Sequence, residues 1–320
     1  MTQPVVCLGT GRMGRGIALA FALRQHPVVL LDVKSRTPAG EEEARRLAFD
    51  EISANLSALL AARGVSSQAA SQVIPCIRFA VLREAAPALA AARIVFEGVP
   101  EVMEAKRAAF AAIAPVLPTE TILASTTSSF LSTDVAKLVE HPQRFLNAHW
   151  LNPAFVIPLV ELSPHAGTDP AVTGHTVALL EEIGKVPVRC APAPGYIVPR
   201  LQSLLMNEAA RMIEEGVATA EDIDRATRFG LGLRFASMGV VEFIDYGGND
   251  ILHYVSAYLA QALADARYAS PAIVGRHMAD RRNGLKDGEG FYDWSNRDLQ
   301  AYRAALLSRL VAQADLTSTK

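Results

Sequence analysis

The sequence predicts an α/β domain built on a mostly parallel sheet, followed by an all-helical domain. Three observations carry this. Short all-apolar segments alternate with helical-period segments as far as Ala191-Pro192-Ala193-Pro194-Gly195, beyond which the strand signal almost vanishes. That Pro/Ala/Gly segment has the composition of a boundary. The chain has 320 residues, half of them hydrophobic, enough for two domains of ordinary size.

The first alternation is the most informative. Val5-Val6-Cys7-Leu8 reads as a strand, Gly9-Thr10-Gly11-Arg12-Met13-Gly14 has G-x-G-x-x-G spacing, Ile17 to Leu23 is helical, and Val28-Val29-Leu30-Leu31 is a second strand closed by Asp32. A strand, a glycine turn, a helix and a second strand ending in an acid make a βαβ dinucleotide site. Gly9 allows the tight turn, Gly11 lets backbone approach a pyrophosphate, and Gly14 permits close helix–strand packing. Asp32 lies 18 residues past Gly14, where an acid bonds the adenosine ribose hydroxyls of NAD. Lys34 and Arg36 are the counter-signal, since basic side chains there can hold a 2′-phosphate. Asp32 repels that phosphate, and NAD is expected over NADP.

Composition narrows the partner class. The net charge is −2 with both signs mixed, so nothing in it attracts nucleic acid or docks on a membrane surface. A small-molecule substrate is expected. The first apolar run is broken by Gly9, so neither a signal peptide nor a membrane span is read, and a cytoplasmic location is expected. Cys7, Cys76 and Cys190 are widely spaced and read as buried apolar fillers. No ligand cluster is visible, and no metal is expected.

After Asp32, Gly40 to Gly64 is helical and Ser66 to Ile74 continues as a second helix, a hairpin inserted over about 41–75. Ile94-Val95-Phe96, a helix from Met103 to Ala114, and Thr121 to Ala124 resume the alternation. Ser125-Thr126-Thr127-Ser128-Ser129 closes that strand, as a helix cap or as a ligand contact. Phe145 to His149 and Leu159 to Leu162 are strands flanking the turn Asn152-Pro153. Ala171 to Ile183 is helical, and Val186-Pro187-Val188 is an edge strand, because proline cannot serve both sides of a sheet. In the second domain, Ile197 to Glu215, a helix capped by Thr219, Val240 to Ile244, Ile251 to Asp265, Ile273 to Arg281 and a tail over 295–320 are helical. These helices are as apolar as buried ones, so one face is expected to pack on a second copy, giving a homodimer.

His149 and Glu161 are the candidate catalytic pair. They end neighbouring strand segments joined by one turn, so their side chains can meet at the rim of the cleft. Oxidising an alcohol needs a base for the hydroxyl proton, and histidine titrates in the right range. A carboxylate on its other nitrogen fixes the tautomer. Taken singly, a strand-end histidine is more often structural.

Together these residues resemble the L-3-hydroxyacyl-CoA dehydrogenase family. The resemblance rests on Gly9 to Gly14, Val99-Pro100-Glu101 with Lys106, Ser125 to Ser129, His149-Trp150-Leu151-Asn152-Pro153 with Glu161, Pro194-Gly195-Tyr196, and Lys286-Asp287-Gly288-Glu289-Gly290-Phe291-Tyr292. It implies a Rossmann-like NAD-binding domain over 1–191, a helical dimerisation and substrate domain over 192–294, and oxidation of a 3-hydroxyacyl group. It also implies roles: His149 as base, Glu161 as its orienter, Ser128 bonding substrate or nicotinamide, and Glu101, Lys106 and Lys286 at NAD.

The departures are equally specific. The family's catalytic asparagine falls on Pro199, and its Asn-Thr-Ser-Ser run reads Thr126-Thr127-Ser128-Ser129. Where the family uses a serine and a lysine near CoA, the hairpin has no lysine, and five acids stand against Arg45, Arg46 and Arg63. Gly230-Leu231-Gly232-Leu233-Arg234-Phe235-Ala236 looks more like relatives acting on small free acids, such as gulonate or carnitine dehydrogenases. Arg234, read as lying in a turn between helices, is either a carboxylate anchor or an ordinary helix-end arginine. Three readings follow: a short-chain 3-hydroxyacyl-CoA dehydrogenase, a dehydrogenase of a small free hydroxy acid, and a non-catalytic NAD-binding scaffold.

Overall fold

In the computed structural model, residues 3–65 and 70–318 are described. The chain forms two compact units, 1–205 and 206–320. Helix Val198–Glu214 runs across that boundary.

The first unit is built on one sheet of eight strands: β1 Val5–Leu8, β2 Val28–Asp32, β3 Ile77–Val81, β4 Ile94–Glu97, β5 Ile122–Ser125, β6 Phe145–Trp150, β7 Leu159–Pro164 and β8 Val186–Arg189. Their order is β3-β2-β1-β4-β5-β6-β7-β8. Strands β1 to β6 are parallel, β7 runs antiparallel to β6, and β8 runs parallel to β7. The central strands are buried on both faces, which is why they read as unbroken apolar runs. Phe21, Phe96 and Trp150 meet on one face, and Phe110 packs edge-on to Phe145 on the other. Pro187 sits on edge strand β8, where its missing N–H costs no ladder bond.

Strand β3 was not foreseen from the sequence. It is five residues long, Arg78 interrupts it, and alanine-rich helical sequence follows, so its period is too short to stand out. It pairs in register with β2, and helix Pro38–Ala62 covers it, with the Arg45 guanidinium 5.3 Å from the Phe79 ring centre. That helix is the expected first arm of the insertion. Of the second arm only Ala70–Val73 is an α-helix, followed by a tight turn at Ile74–Cys76; its start at residues 66–69 lies outside the described residues. Cys7 is buried as expected, whereas Cys76 and Cys190 are only half-buried and all three thiols are free.

The described regular structure of the second unit is helical. Helices Ala220–Ala226, Val240–Gly247, Asn249–Ala262, Ala272–Ala279 and Leu299–Ser318 match the expected pattern, with Thr219 accepting from the Asp222 N–H as a cap, and helix Leu233–Ser237 stands where a turn was expected. A wide π-helical segment, Thr227–Gly232, joins Ala220–Ala226 to Leu233–Ser237. Arg234 is therefore inside a helical stretch rather than in a turn, and its guanidinium lies 5.6 Å from the Phe243 ring centre. The segment Gly284 to Trp294 is pinned by buried Asp245, whose carboxylate accepts from the N–H groups of Phe291 and Tyr292 and from Trp294 Nε1. The tail helix docks through buried Leu306, Tyr302 donates to Glu242, and Arg309 donates to the Ser237 carbonyl.

Candidate active site and cofactor cleft

Because β1 to β6 are parallel, the residues after β1, β2, β4 and β5 gather at one edge of the sheet. Strand order reverses between β1 and β4, where a ligand crevice opens in such sheets. Gly9 N–H donates to Leu31 O, and Gly98 N–H to Leu8 O, so both turns are tied to that switch point. Gly9 has φ +105°, and a Cβ on Gly14 would fall 2.0 Å from the Gly9 carbonyl oxygen. A Cβ on Gly11 would meet nothing nearer than Gly98 O at 3.8 Å, so the protein itself leaves that space open. Gly11 caps helix Arg12–Ala22 without a side-chain bond, and no acid stands in its first turn. An open glycine turn leading into an uncapped helix start fits a pyrophosphate.

The cleft beside this turn has a volume of about 500 Å³ and is lined by Gly9 to Met13, Asp32, Arg36 and Leu47 among others. Asp32 is 2% exposed. Its Oδ1 accepts from the Lys34 N–H at 3.2 Å and its Oδ2 from Arg36 Nε at 2.6 Å.

His149 and Glu161 are direct cross-strand partners on β6 and β7. Nδ1 of His149 lies 2.7 Å from Glu161 Oε2, with both side chains buried. The other carboxylate oxygen accepts from the N–H groups of Ile197 and Val198 at 2.8 and 2.9 Å, where helix Val198–Glu214 begins. Tyr196 stacks on the imidazole with ring centres 4.9 Å apart and planes 9° from parallel. Its hydroxyl donates to Thr127 O at 2.9 Å and accepts from Asn147 Nδ2 at 2.9 Å. Burial pushes the Tyr196 phenol up, so it stays protonated.

Ser128 follows β5 on an exposed loop built around Glu101. Glu101 Oε1 accepts from the N–H groups of Ser128 and Ser129, both at 3.0 Å, and from the hydroxyls of Thr127 and Ser129. Burial raises the Glu101 pKa, but the bonds from Thr127 and Ser129 and the charge of Lys106 outweigh it and hold the carboxyl below its ordinary range. Lys106 is 1% exposed and lies beneath the loop, 2.9–3.0 Å from the Glu97 carboxylate and 3.3 Å from Glu101. Ser125 also donates to Glu97, at 2.6 Å.

Residues 4–193 match the NAD-binding domain of 3-hydroxyacyl-CoA dehydrogenase, and residues 195–294 match its C-terminal domain. The chain belongs to the 3-hydroxyacyl-CoA dehydrogenase family. It is an NAD-dependent oxidoreductase of that family. It is 35% identical over 293 residues to 3-hydroxyadipyl-CoA dehydrogenase of Escherichia coli (strain K12), covering 91% of this chain and 59% of that protein. To 5-formyl-3-hydroxy-2-methylpyridine 4-carboxylate 5-dehydrogenase of Mesorhizobium japonicum it is 29% identical, covering 98% and 97%. The crystal structure of a 3-hydroxyacyl-CoA dehydrogenase from Archaeoglobus fulgidus superposes with a TM-score of 0.76 at 29% identity, covering 99% and 100%.

Within this family frame, Pro199 occupies the first turn of helix Val198–Glu214, where an N–H has no helical partner and proline is well tolerated. Lys286 belongs to the second unit, exposed and paired with Asp250. Two residues of this region were not singled out by sequence. In the sequence Tyr196 is only the aromatic of a Pro-Gly turn; nothing local reveals that it stacks on a histidine. Lys185 donates to the carbonyls of Ala154 and Ile157 at 2.6 and 2.8 Å, pinning the loop that follows His149. Burial, with Arg24 nearby, lowers its pKa to about 8. Among the described residues no helix is long and apolar enough to cross a membrane, and no three His, Cys, Asp or Glu side chains converge as metal ligands.

Proposed function

We propose that the chain oxidises a short-chain 3-hydroxyacyl-CoA, 3-hydroxybutyryl-CoA being the first substrate to test, with His149 as the base. The observation that carries this reading is the His149–Glu161 contact, whose carboxylate is itself anchored by two backbone amides. Glu161 accepts from Nδ1–H, which leaves the Nε2 lone pair to take the hydroxyl proton, and the carboxylate stabilises the imidazolium that forms. Ser128 donates from its hydroxyl to the substrate oxygen, on a loop that Glu101 and Lys106 hold from below. NAD, held by the turn Gly9-Thr10-Gly11-Arg12-Met13-Gly14, by Asp32 and by Lys286, receives the hydride when bound. In the reverse direction protonated His149 returns its proton from Nε2. On this reading residues 1–191 hold the cofactor, 192–294 bind substrate and dimerise, and 295–320 form a helical tail.

Exposed Ile251, Tyr254, Val255 and Tyr258 on helix Asn249–Ala262 support a homodimer through the second unit. A cytoplasmic location fits an enzyme of this kind. The deciding experiment is NADH formation measured over a panel of 3-hydroxyacyl-CoA thioesters and free hydroxy acids. Turnover of 3-hydroxybutyryl-CoA well above every free acid supports the reading, and turnover of free acids alone removes it.

A second reading, oxidation of a small free hydroxy acid, is favoured by the charge pattern of helix Pro38–Ala62. Its arginines Arg45 and Arg46 are committed to Glu42, Glu43 and Asp50, which leaves few cations for a polyphosphate. The near full-length match to a dehydrogenase of a pyridine carboxylate points the same way. Arg234 forms no ion pair among the described residues, so its planar fork is available to a carboxylate. On this reading Arg234→Leu raises KM for the acid by a factor worth about 1.5 to 3 kcal/mol. An unchanged KM in a variant with an unchanged melting curve removes Arg234 as an anchor.

A further inference from the structure

We propose that the adenosine end of the cleft also takes a dinucleotide carrying a 2′-phosphate, and that Arg36 sets how narrowly the unphosphorylated cofactor is preferred. The acid that argues against a 2′-phosphate is not bare. Arg36 Nε lies 2.6 Å from Asp32 Oδ2, and the Lys34 N–H holds Oδ1. Asp32 is buried at 2% exposure while the Arg36 side chain is 30% exposed, so an incoming phosphate meets the guanidinium before the carboxylate. Arg36 engages Asp32 through Nε, and no bond from its two terminal nitrogens occurs among the described residues. Those nitrogens form the fork that binds phosphate oxygens best.

The charge balance of the cleft agrees. Its lining includes Arg12, Arg15, Lys34 and Arg36 against Asp32 and Glu43. Arg15 is committed to Glu51 at 2.8 Å, and Glu43 to Arg46 at 2.7 Å. Arg36 and Asp32 cancel each other. Among the described residues Arg12 and Lys34 pair with no carboxylate, leaving two uncommitted cations. Arg12 opens the helix at the pyrophosphate turn, and Lys34 lies two residues past Asp32. A 2′-phosphate adds a charge of about −1.5 to −2 at neutral pH, which meets the uncommitted charge of Lys34 and the two free terminal nitrogens of Arg36 as hydrogen-bond donors. Unphosphorylated NAD leaves Lys34 without an anionic partner.

The inference rests on placing the adenosine ribose at Asp32, and the test separates the two. Dissociation constants for NADH and NADPH are measured by fluorescence titration on the full-length wild type and on Arg36→Ala, Lys34→Ala and Asp32→Ala. The wild type is expected to bind NADPH within about a hundredfold of NADH. Arg36→Ala, and independently Lys34→Ala, should weaken NADPH about tenfold or more and NADH by less than about threefold, in line with losing one hydrogen bond to a charged group. Added salt should weaken NADPH more than NADH in the wild type and lose that difference in Arg36→Ala. NADPH affinity unchanged in both cation variants overturns the proposal even if Asp32→Ala weakens NADH. Both affinities unchanged in Asp32→Ala overturn the ribose placement and the proposal with it.

Discussion

The proposed reacting end, at His149, and the adenosine end, in the cofactor cleft at Asp32, are built differently. At the proposed reacting end, His149, Glu161 and Tyr196 are buried, and the polar atoms that orient the imidazole are answered by the chain itself. At the adenosine end, Asp32 is buried but its partner Arg36 is partly exposed, and Lys34 is exposed. The difference matches the two tasks. Proton transfer needs a geometry fixed before substrate arrives, and burial supplies it. Choosing between cofactors that differ by one phosphate needs only a balance of surface charge, which water and salt soften. Substitutions at the reacting end should therefore act through rate and stability, and those at the adenosine end through selectivity.

The largest effect expected is on turnover at His149. His149→Ala should lower kcat about 10²- to 10⁴-fold with cofactor affinity unchanged, because the general base alone is removed. Glu161→Gln should also lower kcat, and in addition the melting temperature, since its carboxylate carries charge-assisted bonds from Ile197 and Val198 worth about 1.5 to 3 kcal/mol each. Steady-state kinetics with NADH titration checks both. Near wild-type turnover in His149→Ala breaks the assignment and revives a non-catalytic scaffold.

How legible each end was in the sequence has a physical reason. The His149–Glu161 pair can be read because a single turn joins their strands, so separation along the chain converts directly into register across β6 and β7. The glycine turn and Asp32 can be read because one βαβ unit contains them. Tyr196 reaches His149 from a stretch well beyond that hairpin, and only the folded sheet brings them together. Lys106 was expected at the cofactor, yet its apolar helix neighbours Ala109, Phe110 and Ile113 share its buried face, and the ammonium ends beneath the loop. Periodicity identified the helix but did not reveal that its lysine points inward.

Lys106 sharpens the contrast next. It neutralises Glu97, which is fully buried, and it supports Glu101, so Lys106→Met leaves a buried carboxylate unpaired. Breaking such a pair from one side costs about 3 to 5 kcal/mol. Thermal or denaturant unfolding should show that loss, with turnover falling as the Ser128 loop loosens. If stability is unchanged while NADH binding weakens, Lys106 serves the cofactor directly instead.

The smallest effect expected is at the Tyr196 hydroxyl, and it tests whether the reacting end is held as a unit. Tyr196→Phe keeps the ring on the imidazole but removes the oxygen that joins Asn147 on β6 to the Thr127 carbonyl beside Ser128. Asn147 Nδ2 retains its bond to Phe130 O, so the chief loss is the donor to Thr127 O. A neutral hydrogen bond is worth about 0.5 to 1.5 kcal/mol, which bounds the change in stability. If the hydroxyl also sets the position of Ser128 relative to His149, kcat should fall by up to about tenfold, the rate equivalent of that energy, while KM for NAD stays constant. Tyr196→Leu removes the stack as well and should cost more in both measurements. If Tyr196→Phe lowers the melting temperature but leaves kcat untouched, the hydroxyl only ties β6 to the loop, and the imidazole is oriented by Glu161 and the aromatic ring without it.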